Sequence, residues 1–181
     1  MTTTIQTKEQ KLDLICYLFL VFLLGCLAGW IYEEVFYWIT DGMLEDRGVL
    51  YGPWLPIYGV GTLGIYAMKP FKKHPAVIFL LSVGITGIVE YVVGRITIDL
   101  FDLRLWDYRD EFANFQGIVC LRSVVTFGIM GLMFHYLGEP VMGYVVNKLG
   151  KKPVHWACVV LACLFVLDCA ASFLSRTPIT Y

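Results

Sequence analysis

Five long apolar runs alternate with short polar stretches along the chain. Residues 14–32 carry no charge over nineteen positions. As a helix such a run is ~28 Å long at ~1.5 Å per residue, close to the thickness of a bilayer's hydrocarbon core. Residues 48–68 are uncharged between Arg47 and Lys69. Residues 75–94 are broken only by Glu90, 117–137 only by Arg122 and His135, and 154–175 only by His155 and Asp168. A barrel would show short alternating strands instead, so the pattern predicts an all-α integral membrane protein. The expected fold is one transmembrane helical domain over residues 1–181, a bundle of about five spanning helices with irregular outer loops.

Composition agrees with the pattern. The chain is 58% hydrophobic with 16% charged residues and a mean hydropathy of +0.68. Soluble domains carry about 25% charge. The lipid bilayer is therefore the expected surrounding. No basic stripe resembles a nucleic-acid footprint, so no nucleic-acid partner is expected.

Charge placement predicts an orientation. All eight lysines, Lys8, Lys11, Lys69, Lys72, Lys73, Lys148, Lys151 and Lys152, fall at span ends that share one side. The arginines Arg47, Arg95, Arg104, Arg109, Arg122 and Arg176 fall toward the other side or just inside it. Cytoplasmic loops collect Lys and Arg. With Arg95 and Arg122 embedded, the lysine side carries the excess, which predicts an N-terminus inside and a C-terminus outside. The first run is too long for a cleavable signal. The six cysteines lie within apolar runs without metal or redox spacing and read as buried thiols.

Two short stretches are ambiguous. Residues 96–105 could extend the third helix or lie along the interface. Residues 140–146 are too short to span and read as an interfacial or re-entrant helix. Gly25 and Gly29 form a Gly-x-x-x-Gly pair. Such small residues let helices approach closely in lipid. Intramolecular packing is the bland reading, and a homo-oligomer seam is the sharper one.

The chemistry lies in the polar residues at membrane depth. Glu33, Glu34, Glu90, Arg122 and Asp168 all fall toward the arginine side. A charge at the bilayer centre costs at least about 2.5–3.5 kcal/mol, so each is expected to face a partner or a cavity. Glu90 and Arg122 reach similar depth from adjacent spans, which predicts an ion pair that either fixes helix order or forms part of a site. A polar cavity would take carboxylates from Glu33 or Glu34 and Asp168, and an anion partner from Arg122. Trp30 and Tyr37 flank it.

Two loop strings are the most specific signals. Asp46-Arg47-Gly48-Val49-Leu50-Tyr51-Gly52-Pro53-Trp54-Leu55-Pro56-Ile57-Tyr58-Gly59 opens the second run. Its prolines and glycines disfavour regular helix until near Ile57. Leu105-Trp106-Asp107-Tyr108, followed by Asn114, Gly117, Cys120 and Arg122, leads into the fourth run. Asp107 and Asn114 also suit loop turns and helix caps.

These strings resemble the CmpB-like family of small bacterial membrane proteins, labelled ABC-transporter type IV. The resemblance rests on RGVLYGPWLPIYGVG, on EYVVG, and on LWDYRDEFANFQGIVCLRS, with Glu33 after Gly29-Trp30, and covers most of residues 25–135. It implies that Glu33, Arg47, Gly48, Tyr51, Gly52, Pro53, Pro56, Tyr58, Gly59, Glu90, Tyr91, Trp106, Asp107, Tyr108, Asn114, Gly117 and Arg122 matter. It also implies a multi-pass protein of the bacterial plasma membrane, and a permease that works with an ATP-binding subunit.

The chain itself carries no Gly-x-x-x-x-Gly-Lys-Ser/Thr loop. An ATPase would have to dock on residues 139–152, between Glu139 and Lys152, with Tyr144, Val145 and Leu149 as contacts. Three readings stay open. The first is an ABC-type permease subunit with a polar cavity open to the extracytoplasmic side. The second is an accessory or sensory protein whose outer loops bind an envelope partner or ligand. The third is a membrane-embedded enzyme acting on a lipid-linked substrate, with Asp107, Glu90 and Arg122 as base and charge clamp. His74, His135 and His155 all fall on the lysine side, away from the arginine-side chemistry. With no Ser-His or Cys-His pair there, no catalytic residue is assigned and enzyme function is the less favoured reading. No cofactor is expected, and a carboxylate-bound cation stays open. Candidate binding residues are Glu33, Arg47, Tyr51, Tyr58, Glu90, Trp106, Asp107, Tyr108, Asn114, Arg122 and Asp168.

Overall fold

A computed structural model describes residues 8–42 and 48–175; Asp46, Arg47 and Arg176 lie outside the described residues. The element order is α1 (Lys8–Asp41), α2 (Pro56–Ala67), a 3-10 turn (Lys69–Phe71), α3 (Pro75–Phe101), α4 (Leu121–Met133), a π turn (Phe134–Gly138), α5 (Glu139–Leu149) and α6 (Lys151–Ser175). Four helices among the described residues are long and apolar enough to cross a membrane: Lys8–Thr40, Pro75–Phe101, Leu121–Leu149 and Lys151–Ser175. The run expected as a further span, 48–68, is a 12-residue helix preceded by irregular backbone.

Local chemistry sets the boundaries. α2 and α3 each begin on a proline, whose missing N–H costs nothing in a first helical turn. α3 ends at Asp102, which adopts a left-handed conformation (φ 51°). α3 therefore continues through 96–101, so the ambiguous stretch is mostly helix. α4 opens with a reciprocal cap in which Cys120 Sγ accepts from the Ser123 amide and Ser123 Oγ accepts from the Cys120 amide. Residues 140–146 are not a separate re-entrant helix. They continue the fourth helix through the π turn, which precedes Pro140. A mid-helix proline removes one i→i−4 bond and crowds the carbonyl four residues earlier, and one wider turn absorbs that conflict. Gly150 (φ 78°) is the whole connection between α5 and α6.

α1 and α2 pack most closely. Gly25 and Gly29 face α2, where Tyr58 and Thr62 occupy the space a Cβ would need. This pair is consumed by packing within the chain, which overturns the homo-oligomer reading of that seam. α6 lies beside α1 with few buried positions. Lys151 Nζ pairs with Glu9 at 3.0 Å and Asp13 at 2.8 Å, and His155 Nε2 meets Asp13 at 2.8 Å. Lys69 and Lys72 pair with Glu139 at 2.6 and 2.9 Å. Cys16, Cys26, Cys120 and Cys158 are buried, whereas Cys163 is exposed on α6 and Cys169 is intermediate, against the expectation for these two.

Candidate functional site

Cys26 fixes where the irregular 48–55 segment sits, because its carbonyl accepts from the Leu55 amide at 3.2 Å. The segment therefore reaches the middle of α1 before α2 begins. Backbone that is not helical needs acceptors for its donors from elsewhere in the fold. Asp168 on α6 supplies them, with Oδ1 taking the Tyr51 amide at 3.2 Å and Oδ2 the Gly52 amide at 2.9 Å. Ser172 Oγ also accepts from the Tyr51 amide at 3.0 Å, and the Tyr51 hydroxyl meets Ser175 Oγ at 3.1 Å.

The connection between α3 and α4 is locked by its own hydrogen bonds. Trp106 Nε1 donates to the Ile118 carbonyl at 2.7 Å, and the Tyr108 amide donates to the Gly117 carbonyl at 2.9 Å. Asn114 Nδ2 donates to the Arg109 and Glu111 carbonyls, both at 3.0 Å, while its Oδ1 accepts from the Gly117 amide at 3.1 Å. Gly117 has φ 66° and faces Arg109, Asp107 and Arg104, so a side chain would be both strained and crowded there. Asp107 pairs with Arg109, and more loosely with Arg104 at 3.8 Å. The Arg109 guanidinium bonded to it holds the Asp107 carboxyl below the usual carboxylate range. Burial lifts the Tyr108 phenol well above its ordinary value, as do the carboxylates of Glu90 and Glu33.

Folded this way, the loop lays Trp106 and Tyr108 over α3. A cavity of about 220 Å³ lies beneath, walled by Glu33 and Tyr37 of α1, Val49 and Leu55 of the irregular segment, Tyr58 of α2, Glu90 and Val93 of α3, Trp106 and Tyr108 of the loop, and Phe127 of α4. Two carboxylates thus share a box with phenol and indole groups. The Tyr58 hydroxyl donates to Glu33 Oε1 at 2.9 Å. Glu90 is 3% exposed and accepts from Ser123 Oγ at 2.8 Å, and it is hydrogen-bonded by Tyr108 as well.

Glu90 and Arg122 do not form the expected ion pair. Arg122 donates instead to Glu111 Oε1 at 2.8 Å, and its guanidinium lies 4.6 Å from the Phe36 ring centre and 5.7 Å from that of Tyr108. The loop places Glu111 within reach of Arg122, and Ser123, on the next helical position, turns toward Glu90. Of the eleven candidate residues, Glu33, Tyr58, Glu90, Trp106 and Tyr108 converge on the cavity and Arg122 stands beside it. Tyr51 and Asp168 form the separate cluster on α6, and Asp107 and Asn114 shape the loop. Arg47 lies outside the described residues. Ser123 and Glu111 were missed. The Cys-x-x-Ser cap before an apolar run was the signal for Ser123, whereas Glu111 carried none. Among the described residues, no three His, Cys, Asp or Glu side chains group as a metal site would need.

A family profile described as "Putative ABC-transporter type IV" matches residues 20–173, and the chain belongs to that family. Neither a curated protein nor a solved structure matches the chain.

Proposed function

We propose that this member of the type IV ABC-transporter family is a membrane transport subunit whose solute site is the Glu33/Glu90 cavity. The single observation that carries the reading is the cavity itself. Two carboxylates, one of them almost wholly buried, stand at membrane depth in a pocket walled by Tyr58, Trp106 and Tyr108. Intramembrane carboxylates are costly and usually mark a substrate or ion pathway.

In this reading the 48–68 run completes a fifth crossing as a half-helix, which gives an N-terminus inside and a C-terminus outside. The cavity then opens to the extracytoplasmic side of the bacterial plasma membrane. The paired lysines at the other end of the bundle support that orientation through the positive-inside rule. An ATP-binding subunit would seat on α5, where Tyr144, Val145 and Leu149 are exposed.

The accessory reading draws support from one observation. A single residue, Gly150, links α5 to α6, and this leaves little cytoplasmic surface for coupling to a motor. Capture of the tagged protein from mild detergent at native expression, read by mass spectrometry, separates the two. A stoichiometric ATP-binding subunit is the expected result. Envelope proteins enriched without an ATPase would overturn the permease reading in favour of the accessory one. Labelling of a Val49→Cys variant by a membrane-impermeant maleimide from outside intact cells is expected. Protection there would reverse the orientation.

A further inference from the structure

A second cavity, of about 420 Å³, opens sideways from the bundle between α1 and α4. The two helices touch where Phe36 meets Arg122 and part beyond that contact, toward the lysine end. The short α2 forms the floor, with Tyr58 and Ile65 buried there. Ile31, Met133 and Leu137 stand exposed at the rim, on helices long enough to cross a membrane. No charged side chain lines this groove. It runs from Tyr32 to Leu24 on α1 and from Phe127 to Gly138 on the fourth helix. Those stretches are ~12 and ~16 Å long at ~1.5 Å per residue, about one leaflet of a ~30 Å hydrocarbon core.

The groove meets the Glu33/Glu90 cavity end to end. Tyr58 and Phe127 wall both spaces, with ring centres 5.0 Å apart. A narrow passage beside them is lined by Tyr32, Glu33, Tyr108 and Arg122. It holds about 20 Å³, room for one water, so anything larger must turn the partly exposed Tyr32 ring aside. Arg122 Nε is buried without a hydrogen-bond partner, because Glu111 takes only the other edge of the guanidinium. Native proteins rarely leave such a donor unpaired. The cavity beyond has the opposite sign. Among the described residues its wall holds two carboxylates, Glu33 and Glu90, and no Lys, Arg or His. Tyr37, Trp106 and Tyr108 add aromatic faces, whose quadrupoles attract a cation. From the lipid inward the order is therefore apolar groove, guanidinium, then carboxylates among aromatic rings.

We propose that these joined spaces bind a membrane phospholipid with an amine head. One acyl chain lies in the groove between α1 and α4. The phosphate stands beside Arg122 and accepts from its free Nε hydrogen. The ammonium enters the cavity, where Glu90 and Glu33 balance its charge and Trp106 and Tyr108 offer ring faces. This order of tail, phosphate and amine matches the order of the three spaces. A free amine would leave the groove unused, and an anionic lipid would set no cation against the carboxylates. The groove opens into hydrocarbon, so the lipid enters sideways through the Ile31, Met133 and Leu137 rim without crossing water. The inference names the substrate class of the cavity and so rests on the solute-site reading above.

The full chain reconstituted in phosphatidylglycerol vesicles tests this. A trace of phosphatidylethanolamine with a diazirine in one acyl chain is photolysed, and the labelled residues are read by mass spectrometry. Phosphatidylglycerol carrying the same chain is the comparison probe. Labelling of groove residues such as Met130 and Met133 is expected to be roughly tenfold stronger with the amine head, the effect of one charge-assisted hydrogen bond. Ala28→Trp fills the groove and should abolish that labelling. Leu27→Trp, at an exposed position off the groove, should leave it unchanged. Glu90→Gln should bring the two probes to the same level. Equal labelling by both probes in the parent, or labelling unmoved by Ala28→Trp, would overturn the proposal. Radiolabelled ethanolamine separates this failure from that of the cavity reading. If the parent and Ala28→Trp bind it alike without preferential chain labelling, the lipid is overturned and the cavity stands as a site for soluble amines. If neither probe binds, the lipid is overturned and capture of the ATP-binding subunit alone judges the transport reading.

Discussion

Glu90 and Asp168 are both carboxylates in apolar helices, yet their surroundings differ in kind. Asp168 accepts from backbone amides of Tyr51 and Gly52 and steadies a non-helical segment. Glu90 accepts from side chains, Ser123 and Tyr108, and borders a cavity. A carboxylate spent on main-chain donors has a structural task. One held by side-chain hydroxyls beside open space has room next to it for a further group. α6, which carries Asp168, has only 11% of its apolar window buried, against 22% for α3, so its few polar bonds matter to its attachment.

Four experiments sharpen or break that comparison. The largest effect is expected at Glu90, where Glu90→Lys places a cation among groups arranged for an acceptor. It should cost about 3–5 kcal/mol, as an uncompensated buried charge does. Asp99→Lys should stay within about 0.5 kcal/mol, the range of surface substitutions. Thermal unfolding in micelles reads both, and equal tolerance would erase the distinction between the two faces of α3.

Asp168→Ala comes next, because it leaves the Gly52 amide without an acceptor while Ser172 still serves Tyr51. The expected loss is about 1–3 kcal/mol, the desolvation cost of one orphaned group. Asp168→Asn keeps an acceptor and should recover most of it. If asparagine costs as much as alanine, the charge matters rather than the main-chain bond.

A smaller effect is expected at Arg122. Glu111→Arg should cost about 0.2–1 kcal/mol, as partly exposed pairs do, and Arg122→Glu adds the loss of its stacking on Phe36. Reversing both residues together should recover the ion-pair part. Reversing Glu90 and Arg122 together should not rescue. Recovery in that second pair alone would restore the ion pair that the structure rejects.

The smallest effect is a pH dependence in the loop. Arg109 lowers the Asp107 carboxyl from its ordinary 3.8 in the folded chain. A depressed folded value means the contribution is complete above the unfolded value and is lost only as pH falls through the folded one. Hydrogen exchange at the Arg109 amide, which donates to Asp107 Oδ1 at 3.0 Å, should therefore stay protected down to the ordinary carboxylate range and open below it. Opening well above 3.8 would remove Asp107 from the loop's support.

Much of the framework was legible along the chain. Four of the five long apolar runs became long helices, and Pro53 and Pro56 with three glycines foretold backbone that turns helical only at Pro56. Glu33, Tyr58, Glu90, Trp106 and Tyr108 of the cavity wall were named in advance because intramembrane charges and the loop motifs singled them out, whereas apolar walls such as Val93 and Phe127 were not. The pairing was not legible. Arg122 takes Glu111, eleven residues back in a loop, over Glu90 on the adjacent helix. The π turn that continues the fourth helix through Pro140 was likewise hidden, because a proline in a short apolar stretch reads equally as a break.

By itself the sequence determined the solvent of this protein, its helical form and the segregation of lysine from arginine. Each follows from transfer energies and periodicity summed over neighbouring residues. Only the tertiary structure decided which carboxylate meets which donor. Those contacts join residues as far apart as Asp168 and Gly52, and they depend on the rotation of each helix about its axis and on how the 102–120 loop closes on itself. A hydrogen bond fails within a fraction of an ångström or a few tens of degrees. Such precision comes only from the packed whole.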